Sequence, residues 1–308
     1  MHHSLFTPLW PQVLAGQPKA LARALSLVEN EVEGWQAFLQ SLPPTQVPVL
    51  GITGPPGAGK STLTDALIQY WVGAGKKVGV LCIDPSSPFH LGALLGDRIR
   101  MSRWYSHPQV FIRSLASRGS LGGLHPQILP LADVMKAAGF NLVIIETVGV
   151  GQSEVDIAGL ANCTVVVLVP EAGDDIQTMK AGLMEIADLF VVNKADRPEA
   201  DRFVHHLHLK MMPRHPQVGA AEKPILKTVA HLGEGMAPLA TAIDQHLCRH
   251  AQSPRYYWML ARQAWRLLQH ARMQPFSEQL LLQAVTAAAS QPGFQLYRFV
   301  EQWAAKQQ

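Results

Sequence analysis

The chain has 308 residues, of which 48% are hydrophobic and 16% charged, and its formal net charge is +3. These values are typical of a globular protein with a substantial core, and so small a charge, on scattered Lys and Arg residues, does not indicate a nucleic-acid-binding protein. No apolar run reaches the roughly eighteen residues of a membrane-spanning helix, and the N-terminus lacks the pattern of a secretory signal. The three cysteines lie far apart, which argues against a disulfide framework or a CxxC metal site. We therefore expect a cytoplasmic protein that binds neither nucleic acid nor membrane.

The first predicted element is an amphipathic helix within an N-terminal helical segment, residues 1–46. Apolar residues recur there at alternating spacings of four and three, which places them on one face of a helix. They are Leu21, Leu25, Val28, Val32, Trp35, Leu39 and Leu42. Pro43 and Pro44 are expected to end this helix, which would pack against the main domain or a partner chain.

Residues 47–235 predict a separate α/β domain. Seven short runs are nearly continuous in Val, Ile and Leu: VPVLGIT, KVGVLCID, QVFIRS, NLVIIET, CTVVVLV, LFVVN and PILKTV. Such runs are typical of strands that are buried on both faces of a parallel sheet. Stretches between them, such as STLTDALIQYWVGAG, have helical apolar spacing and end in Gly. The alternation predicts a doubly wound α/β fold with a mainly parallel sheet.

Residues 236–308 predict a helical extension. Three segments have helical spacing: MAPLATAIDQHLCRH, RYYWMLARQAWRLLQHARM and FSEQLLLQAVTAAASQ. Large aromatic side chains at Tyr256, Trp258 and Trp265 make this extension a candidate dimerisation surface. Packing against the parent domain would account for them equally well.

The stretch GITGPPGAGKST, residues 51–62, follows the first predicted strand, opens a helix and fits the phosphate-binding pattern GxxxxGK[ST]. Its loop consists of Gly54, Pro55, Pro56, Gly57, Ala58, Gly59, Lys60 and Ser61. In this pattern several backbone N–H groups point at the β-phosphate, and the helix N-terminus adds the positive end of its dipole. Lys60 is expected to bridge the β- and γ-phosphates, Ser61 to bind Mg²⁺, and Thr62 to donate to the α-phosphate.

The letters NKAD follow the apolar run LFVV and place Asn193, Lys194 and Asp196 at the end of a strand. Asp196 can accept hydrogen bonds from N1–H and the 2-amino group of guanine, whereas adenine has an acceptor at N1 and no 2-amino group. A site that hydrogen-bonds a polar group of its ligand discriminates against a ligand without that group by about four orders of magnitude in specificity. We therefore predict that the site binds GTP rather than ATP. Backbone N–H groups at the end of the last strand are expected to reach the guanine O6; they belong to Thr228, Val229 and Ala230.

Two predicted strands end in acidic residues, Asp84 and Glu146. Glu146 opens the stretch ETVG, which has the form of the DxxG element of GTPases with Glu in place of Asp. Gly149 of this stretch is expected to donate its N–H to the γ-phosphate, and Gln152 to orient the attacking water. Glu146 would hold Mg²⁺ through water, although acidic residues at strand ends are often only solvated caps.

These elements resemble one known family. The stretches that carry the resemblance are GITGPPGAGKSTL, DPSSPF, LLGDRIRM, RGSLGGL, ETVGVGQSE, GDDIQTMKAG, VNKAD and KTVA followed by GEG. Together they resemble the MeaB/ArgK-type GTPases, relatives of the human methylmalonic aciduria type A protein. The resemblance extends from about residue 20 to the C-terminus and is dense between residues 50 and 235.

The resemblance implies a homodimeric, Mg²⁺-dependent GTPase that acts as a chaperone for adenosylcobalamin-dependent acyl-CoA mutases, especially methylmalonyl-CoA mutase. It implies that Asp97 joins Ser61, Asp84 and Glu146 around Mg²⁺. Residues 173–180 would correspond to the partner-sensing loop of the family, in which Lys180 helps to activate hydrolysis when the mutase docks.

One departure from the family pattern follows DPSSPF, where this chain has His90-Leu91 in place of a small hydroxyl residue and a Gly. Bulkier residues there are expected to stiffen the first switch segment and to alter the hydrolysis rate or the partner. Two other functions remain open. A nickel or zinc insertion GTPase would use histidines such as His205 and His208, which share a helix face, and a small-molecule kinase linked to amino-acid transport would need an acceptor pocket with a catalytic base.

Overall fold

The computed structural model describes residues 5–84, 101–116, 125–147, 153–170, 181–211, 223–248, 254–273, 278–290 and 293–305. The chain divides into two compact units, Met1–Tyr256 and Tyr257–Gln308. The first unit contains a sheet with flanking helices, and the second is helical in its described residues.

The core of the first unit is a seven-stranded sheet in which every strand pair is parallel. Its strands are β1 (Val49–Thr53), β2 (Val78–Asp84), β3 (Val110–Ala116), β4 (Leu142–Glu146), β5 (Cys163–Leu168), β6 (Leu189–Asn193) and β7 (Ile225–Thr228). Their order across the sheet is β3-β2-β4-β1-β5-β6-β7. The predicted doubly wound α/β fold is therefore confirmed, with each of the seven predicted apolar runs forming a strand.

Helices precede the sheet, cover both of its faces and follow it. They are α1 (Trp10–Leu14), α2 (Pro18–Glu29), α3 (Trp35–Gln40), α4 (Lys60–Gly73), α5 (Ile128–Ala137), α6 (Ser153–Leu160), α7 (Ala181–Ile186), α8 (Ala200–Met211), α9 (Met236–Cys248), α10 (Pro254–Met273), α11 (Glu278–Ala289) and α12 (Leu296–Ala305). The described residues also contain two 3₁₀ turns, Ser102–Trp104 and Ala230–Leu232.

Alternate residues of the central strands pack on opposite faces of the sheet, as the twofold repeat of a strand requires. In β5, Val165 and Val167 join the cluster that contains the apolar residues of α4 and α9. Val166 and Leu168 join a second cluster with residues of α6, α7 and α8. Burial on both faces explains why these strands read as unbroken apolar runs.

The single N-terminal helix predicted from periodicity is wrong, because the chain forms α2 and α3 with a break between them. At the break Glu31 has a φ of 51° and Gly34 a φ of 88°, both in the left-handed region, and Gly34 lies directly before α3. Leu25 is fully buried on α2 and Trp35 is 7% exposed on α3. The apolar spacing therefore marks the buried faces of two separate helices, both of which contact α5, and it does not by itself require a continuous helix.

The three predicted C-terminal helices form α9, α10 and α11, and α12 is a further helix that was not predicted from the sequence. Helix α9 belongs to the core of the first unit, where Leu239, Ala240 and Ile243 are fully buried. In the described part of the chain, none of the helices combines the length and apolar character needed to cross a bilayer.

Candidate nucleotide-binding site

The loop that joins β1 to α4 depends on glycine at two positions of close approach. Gly54 has a φ of 142° and Gly59 a φ of 84°, values that residues with a side chain rarely adopt. A Cβ on Gly54 would lie 2.1 Å from the carbonyl oxygen of Val167, and one on Gly59 would lie 2.4 Å from the Asn193 amide nitrogen. The loop thus packs directly against β5 and the end of β6, and it delivers the chain into α4, whose first N–H groups have no partner within the helix.

Lys60 is the first residue of α4 and is 7% exposed. Its Nζ donates hydrogen bonds to the carbonyl oxygens of Gly54 at 2.9 Å and Pro55 at 3.0 Å. The ammonium is therefore held over the first residues of its own loop. Phosphate oxygens form stronger, charge-assisted hydrogen bonds with an ammonium than neutral carbonyl oxygens do, so this group can transfer to a bound phosphate.

Glu146, the last residue of β4, is 2% exposed and lies beneath the start of α4. Ser61 Oγ donates to its Oε1 at 2.7 Å, and Thr64 Oγ1 donates to its Oε2 at 2.8 Å. Thr64 was not predicted as a site residue, because it lies outside the phosphate-loop motif. Its spacing of three from Ser61, which puts both hydroxyls on one helix face, was the available signal.

The end of β2 brings a second carboxylate to the same edge of the sheet. Cys82 pairs in register with Glu146, and Asp84 follows at the end of β2 with 2% exposure. Ser61, Asp84 and Glu146 thus offer a hydroxyl and carboxylate oxygens, the hard donors that suit Mg²⁺. The donor chemistry of these three residues fits the predicted metal, and Asp97 lies outside the described residues.

The start of the ETVG stretch is fixed to the end of β1 by two hydrogen bonds. Thr147 N donates to the Ile52 carbonyl oxygen at 3.0 Å, and the hydroxyl oxygens of Thr147 and Thr53 lie 2.8 Å apart. Both threonines are at most 1% exposed. A segment that begins at Thr147 therefore starts from a fixed point beside the phosphate loop.

Asn193, at the end of β6, connects three loops through its buried side-chain amide. Its Nδ2 donates to the Ala58 carbonyl oxygen at 3.0 Å. Its Oδ1 accepts from Thr228 Oγ1 at 3.1 Å and from Ala230 N at 3.2 Å. The amide thus ties the phosphate loop to the segment that follows β7.

Lys194 and Asp196 flank a pocket next to the phosphate loop. Lys194 has a φ of 58° and donates from Nζ to the Gly57 carbonyl oxygen at 2.8 Å. The pocket has a volume of about 190 Å³. Its lining comprises Gly59, Thr62, Asn193, Lys194, Asp196, Arg197 and His231. The structure therefore brings the predicted base-recognition residues and Thr62 together, and it adds Arg197 and His231, which carry no motif signal.

Two of the three backbone amides predicted to reach the guanine O6 already have acceptors. Val229 N donates to the Glu234 carbonyl oxygen at 3.1 Å, and Ala230 N donates to Asn193 Oδ1 at 3.2 Å. Thr228, Val229 and Ala230 are all at most 5% exposed. A guanine O6 would have to share or replace these acceptors.

A polar cluster anchors the chain just after the first switch segment. Arg103 donates to Asp65 Oδ1 at 2.9 Å and Oδ2 at 2.6 Å, and Trp104 Nε1 donates to Asp65 Oδ1 at 2.6 Å. Asp65 lies on α4, one residue after Thr64, so this cluster attaches the chain to the helix that begins at Lys60. Sequence patterns gave no indication of it, because the partners are 38 and 39 residues apart.

Several predicted residues lie outside the described residues: Asp97, Gly149, Gln152, Lys180 and the His90-Leu91 pair. His205 and His208 are both on α8, with His205 exposed. In the described residues, one group of three or more His, Cys, Asp and Glu side chains has ligand atoms close enough together to hold a metal ion, namely Cys163, Asp188 and His246, and it does not include His205 or His208.

Comparison with known proteins places this architecture in a family. Residues 21–288 match the profile of the family described as Methylmalonyl Co-A mutase-associated GTPase MeaB. A GTPase of Pyrococcus abyssi is 48% identical over 236 residues, which cover 75% of this chain and 72% of the relative. A fused isobutyryl-CoA mutase of Geobacillus kaustophilus is 37% identical over 230 residues, which cover 70% of this chain and 21% of that protein.

A solved structure has the same fold over nearly the whole chain. It is the crystal structure of a LAO/AO transport system kinase, which superimposes with a TM-score of 0.67 at 24% sequence identity. The alignment covers 99% of this chain and 98% of the other. The fold, the phosphate loop, the base-recognition segment and the family match agree that this chain binds guanine nucleotide and hydrolyses GTP, and it belongs to the family of Methylmalonyl Co-A mutase-associated GTPases typified by MeaB.

Proposed function

We propose that this GTPase is a chaperone for an adenosylcobalamin-dependent acyl-CoA mutase, with methylmalonyl-CoA mutase as the expected partner. The observation that carries the proposal is the fused isobutyryl-CoA mutase, in which a segment 37% identical to this chain is part of the same polypeptide as a mutase. Fusion supports a physical association, because two activities joined in one chain act at a high effective concentration. The role would be to assist assembly, cofactor loading or protection of the mutase.

At the nucleotide, the residues of the phosphate loop would bind the β- and γ-phosphates. Lys60 would exchange the Gly54 and Pro55 carbonyl oxygens for phosphate oxygens, while the N–H groups at the start of α4 stabilise the negative charge. Asp196 would accept hydrogen bonds from the guanine edge, and Asn193 would keep the base-recognition loop in register with the phosphate loop.

The metal ligands in this proposal are Ser61, Asp84, Glu146 and Asp97. Bound Mg²⁺ would supply a positive charge that neutralises the phosphates. Ser61 now donates to Glu146, so metal binding would require its hydroxyl oxygen to turn from hydrogen-bond donor into ligand. Thr64 would keep the second carboxylate oxygen in place during this exchange.

The switch in this proposal is the pair of segments that follow β2 and Thr147. Gly149 would sense the γ-phosphate, Gln152 would orient water, and Lys180 would activate hydrolysis when the mutase docks. Because Thr147 is fixed to β1, a shift at Gly149 would move the chain beyond it while the sheet stays in place. Hydrolysis to GDP would then release the mutase.

The second unit provides a candidate surface for the proposed homodimer. Its large apolar side chains are exposed: Tyr257 by 58%, Trp258 by 74%, Trp265 by 65% and Leu268 by 61%. Apolar area of this kind on one helix is typical of an interface. Light scattering of the wild-type protein and of a Trp258→Glu, Trp265→Glu double variant tests this surface. We expect the mass of a dimer for the wild type and the mass of a monomer for the double variant. Equal masses for the two proteins would reject the surface.

The experiment for the mutase partner measures GTP and ATP hydrolysis with and without a purified methylmalonyl-CoA mutase from the same organism. We expect turnover that is selective for GTP and rises when the mutase is added. Lys60→Ala controls for contaminating hydrolases. GTP turnover that is unchanged by methylmalonyl-CoA mutase and by isobutyryl-CoA mutase would reject the mutase partner while leaving the GTPase assignment intact.

A further inference from the structure

Three potential metal ligands of different chemistry meet at the edge of the sheet opposite the nucleotide. Cys163 is the first residue of β5, Asp188 immediately precedes β6, and His246 lies in the last turn of α9. One ligand atom from each, a thiol sulfur, a carboxylate oxygen and an imidazole nitrogen, lies within 4.8 Å of the others. The nucleotide site occupies the carboxyl ends of the same strands, so this cluster is separate from it.

The ligand set selects a class of metal. Thiolate and imidazole are the donors that zinc and neighbouring divalent transition metals favour, whereas Mg²⁺ and Ca²⁺ favour oxygen donors alone. Three protein ligands with a fourth position for water are typical of open zinc sites, and four protein ligands are typical of closed structural sites.

The geometry requires little rearrangement. With Zn–S and Zn–N bonds of about 2.3 and 2.0 Å, the ligand atoms of a tetrahedral site are about 3.5 Å apart. His246 Nε2 and Asp188 Oδ2 are 3.8 Å apart, and the cluster as a whole would need to contract by roughly 1 Å. Both side chains are about one-third exposed, so they can rotate towards the fully buried Cys163.

The surroundings of the cluster support a bound cation. Thr164 N donates to Asp188 Oδ2 at 2.8 Å, which orients the carboxylate as outer hydrogen bonds do around metal ligands. His246 stands at the C-terminal end of α9, where the helix dipole contributes partial negative charge. A cation between Cys163 and Asp188 would also offset the unfavourable energy of a buried thiolate next to a carboxylate.

We propose that Cys163, Asp188 and His246 bind one divalent transition-metal ion of the zinc class, with one coordination position left open. This site joins the starts of β5 and β6 to the end of α9. It is independent of the mutase proposal, because none of its residues takes part in nucleotide binding.

Cobalt(II) is the probe that tests the site, since a thiolate ligand to cobalt gives a charge-transfer absorption that oxygen ligands do not. Nucleotide-free protein, kept reduced with a phosphine, is titrated with Co²⁺ and then with Zn²⁺. We expect one Co²⁺ per chain with the thiolate band, and displacement by Zn²⁺. Cys163→Ala should abolish the band, and His246→Gln should weaken binding by at least about tenfold.

Two variants serve as matched controls for adventitious binding. Cys248→Ala removes the exposed thiol, and His208→Gln removes an imidazole on α8, so both should bind Co²⁺ like the wild type. Unchanged GTP hydrolysis and circular dichroism show that the Cys163→Ala and His246→Gln variants are folded. A wild-type protein without the band, a band that survives in Cys163→Ala, wild-type affinity in His246→Gln or loss of the band in Cys248→Ala would each overturn the proposal.

Discussion

The Asn193 side chain should be the strongest single link between the phosphate loop and the base-recognition loop. Its replacement by Ala removes three hydrogen bonds, to Ala58, Thr228 and Ala230, from a residue that is 2% exposed. At about 1 kcal/mol for each bond, unfolding free energy should fall by about 3 kcal/mol, because the partners stay buried without replacement. If about half of that loss, about 1.5 kcal/mol, also separates the two loops, the affinity for guanine nucleotide should fall by roughly tenfold.

Urea denaturation and titration with a fluorescent GDP analogue measure these two effects on the same preparations. Asn162→Ala is the matched control, because Asn162 Oδ1 accepts a single hydrogen bond, from Val49 N at 2.8 Å, at the opposite edge of the sheet. This control should lose about 1 kcal/mol of stability and bind GDP normally. If Asn193→Ala lost no more affinity than Asn162→Ala, the Asn193 amide would not couple the two loops.

Three further predictions concern single side chains. Lys60→Ala should reduce GTP hydrolysis by at least about a hundredfold. The control Lys76→Ala, which removes a surface ion pair with Asp244, should leave hydrolysis unchanged. Equal rates for the two variants in a phosphate-release assay would reject the role of Lys60. Asp196→Asn should change the preferred base from guanine to xanthine, because the 2-oxo group of xanthine accepts a hydrogen bond from the new amide. Competition binding with GDP and XDP measures this, and a continued preference for GDP would contradict it. At neutral pH iodoacetamide should react with the exposed Cys248 and not with Cys163. Burial, and after it the negative charge of Asp188, raises the pKa of the Cys163 thiol. Alkylated Cys163 peptides from the native protein would contradict this prediction.

The sheet was predictable because both of its faces are covered. Each strand except the two at the edges lies between neighbours and under helices, so its residues are selected for apolar character without interruption, as in CTVVVLV. The N-terminal region was less predictable for a related reason. Val28 on α2 and Trp35 on α3 are both buried, and both helices contact α5. Their spacing fits a continuous helix although the chain turns at Gly34.

The local parts of the site were also predictable, since a phosphate loop is a contiguous stretch with a fixed conformation. Contacts between distant segments were not. The bond from Thr64 to Glu146 spans 82 residues, and the cluster around Asp65 spans 38 and 39. Neither has a spacing rule, because the sheet order that brings its members together is a property of the whole fold. Cys163 is a further case. It lies in a run that was predicted to be a buried strand, and it is buried there, but no sequence pattern connects it to the neighbouring Asp188 and His246.

The two ends of the sheet therefore have different chemistry. The carboxyl ends of β1, β4 and β6 bring Lys60, Glu146 and Asn193 to the proposed nucleotide site. The amino ends of β5 and β6 hold the proposed transition-metal site. Because β6 connects Asp188, which precedes it, to Asn193 at its end, metal content should be controlled when nucleotide affinities are compared.

Whether GTP hydrolysis releases the mutase is tested most directly by comparing mutase binding in two nucleotide states. The protein is loaded with Mg²⁺ and either a non-hydrolysable GTP analogue or GDP, and its affinity for methylmalonyl-CoA mutase is measured by calorimetry. Binding should be at least about tenfold tighter with the GTP analogue, a difference of about 1.4 kcal/mol between the two states. Equal affinities in the two states would contradict the claim that GTP hydrolysis releases the mutase.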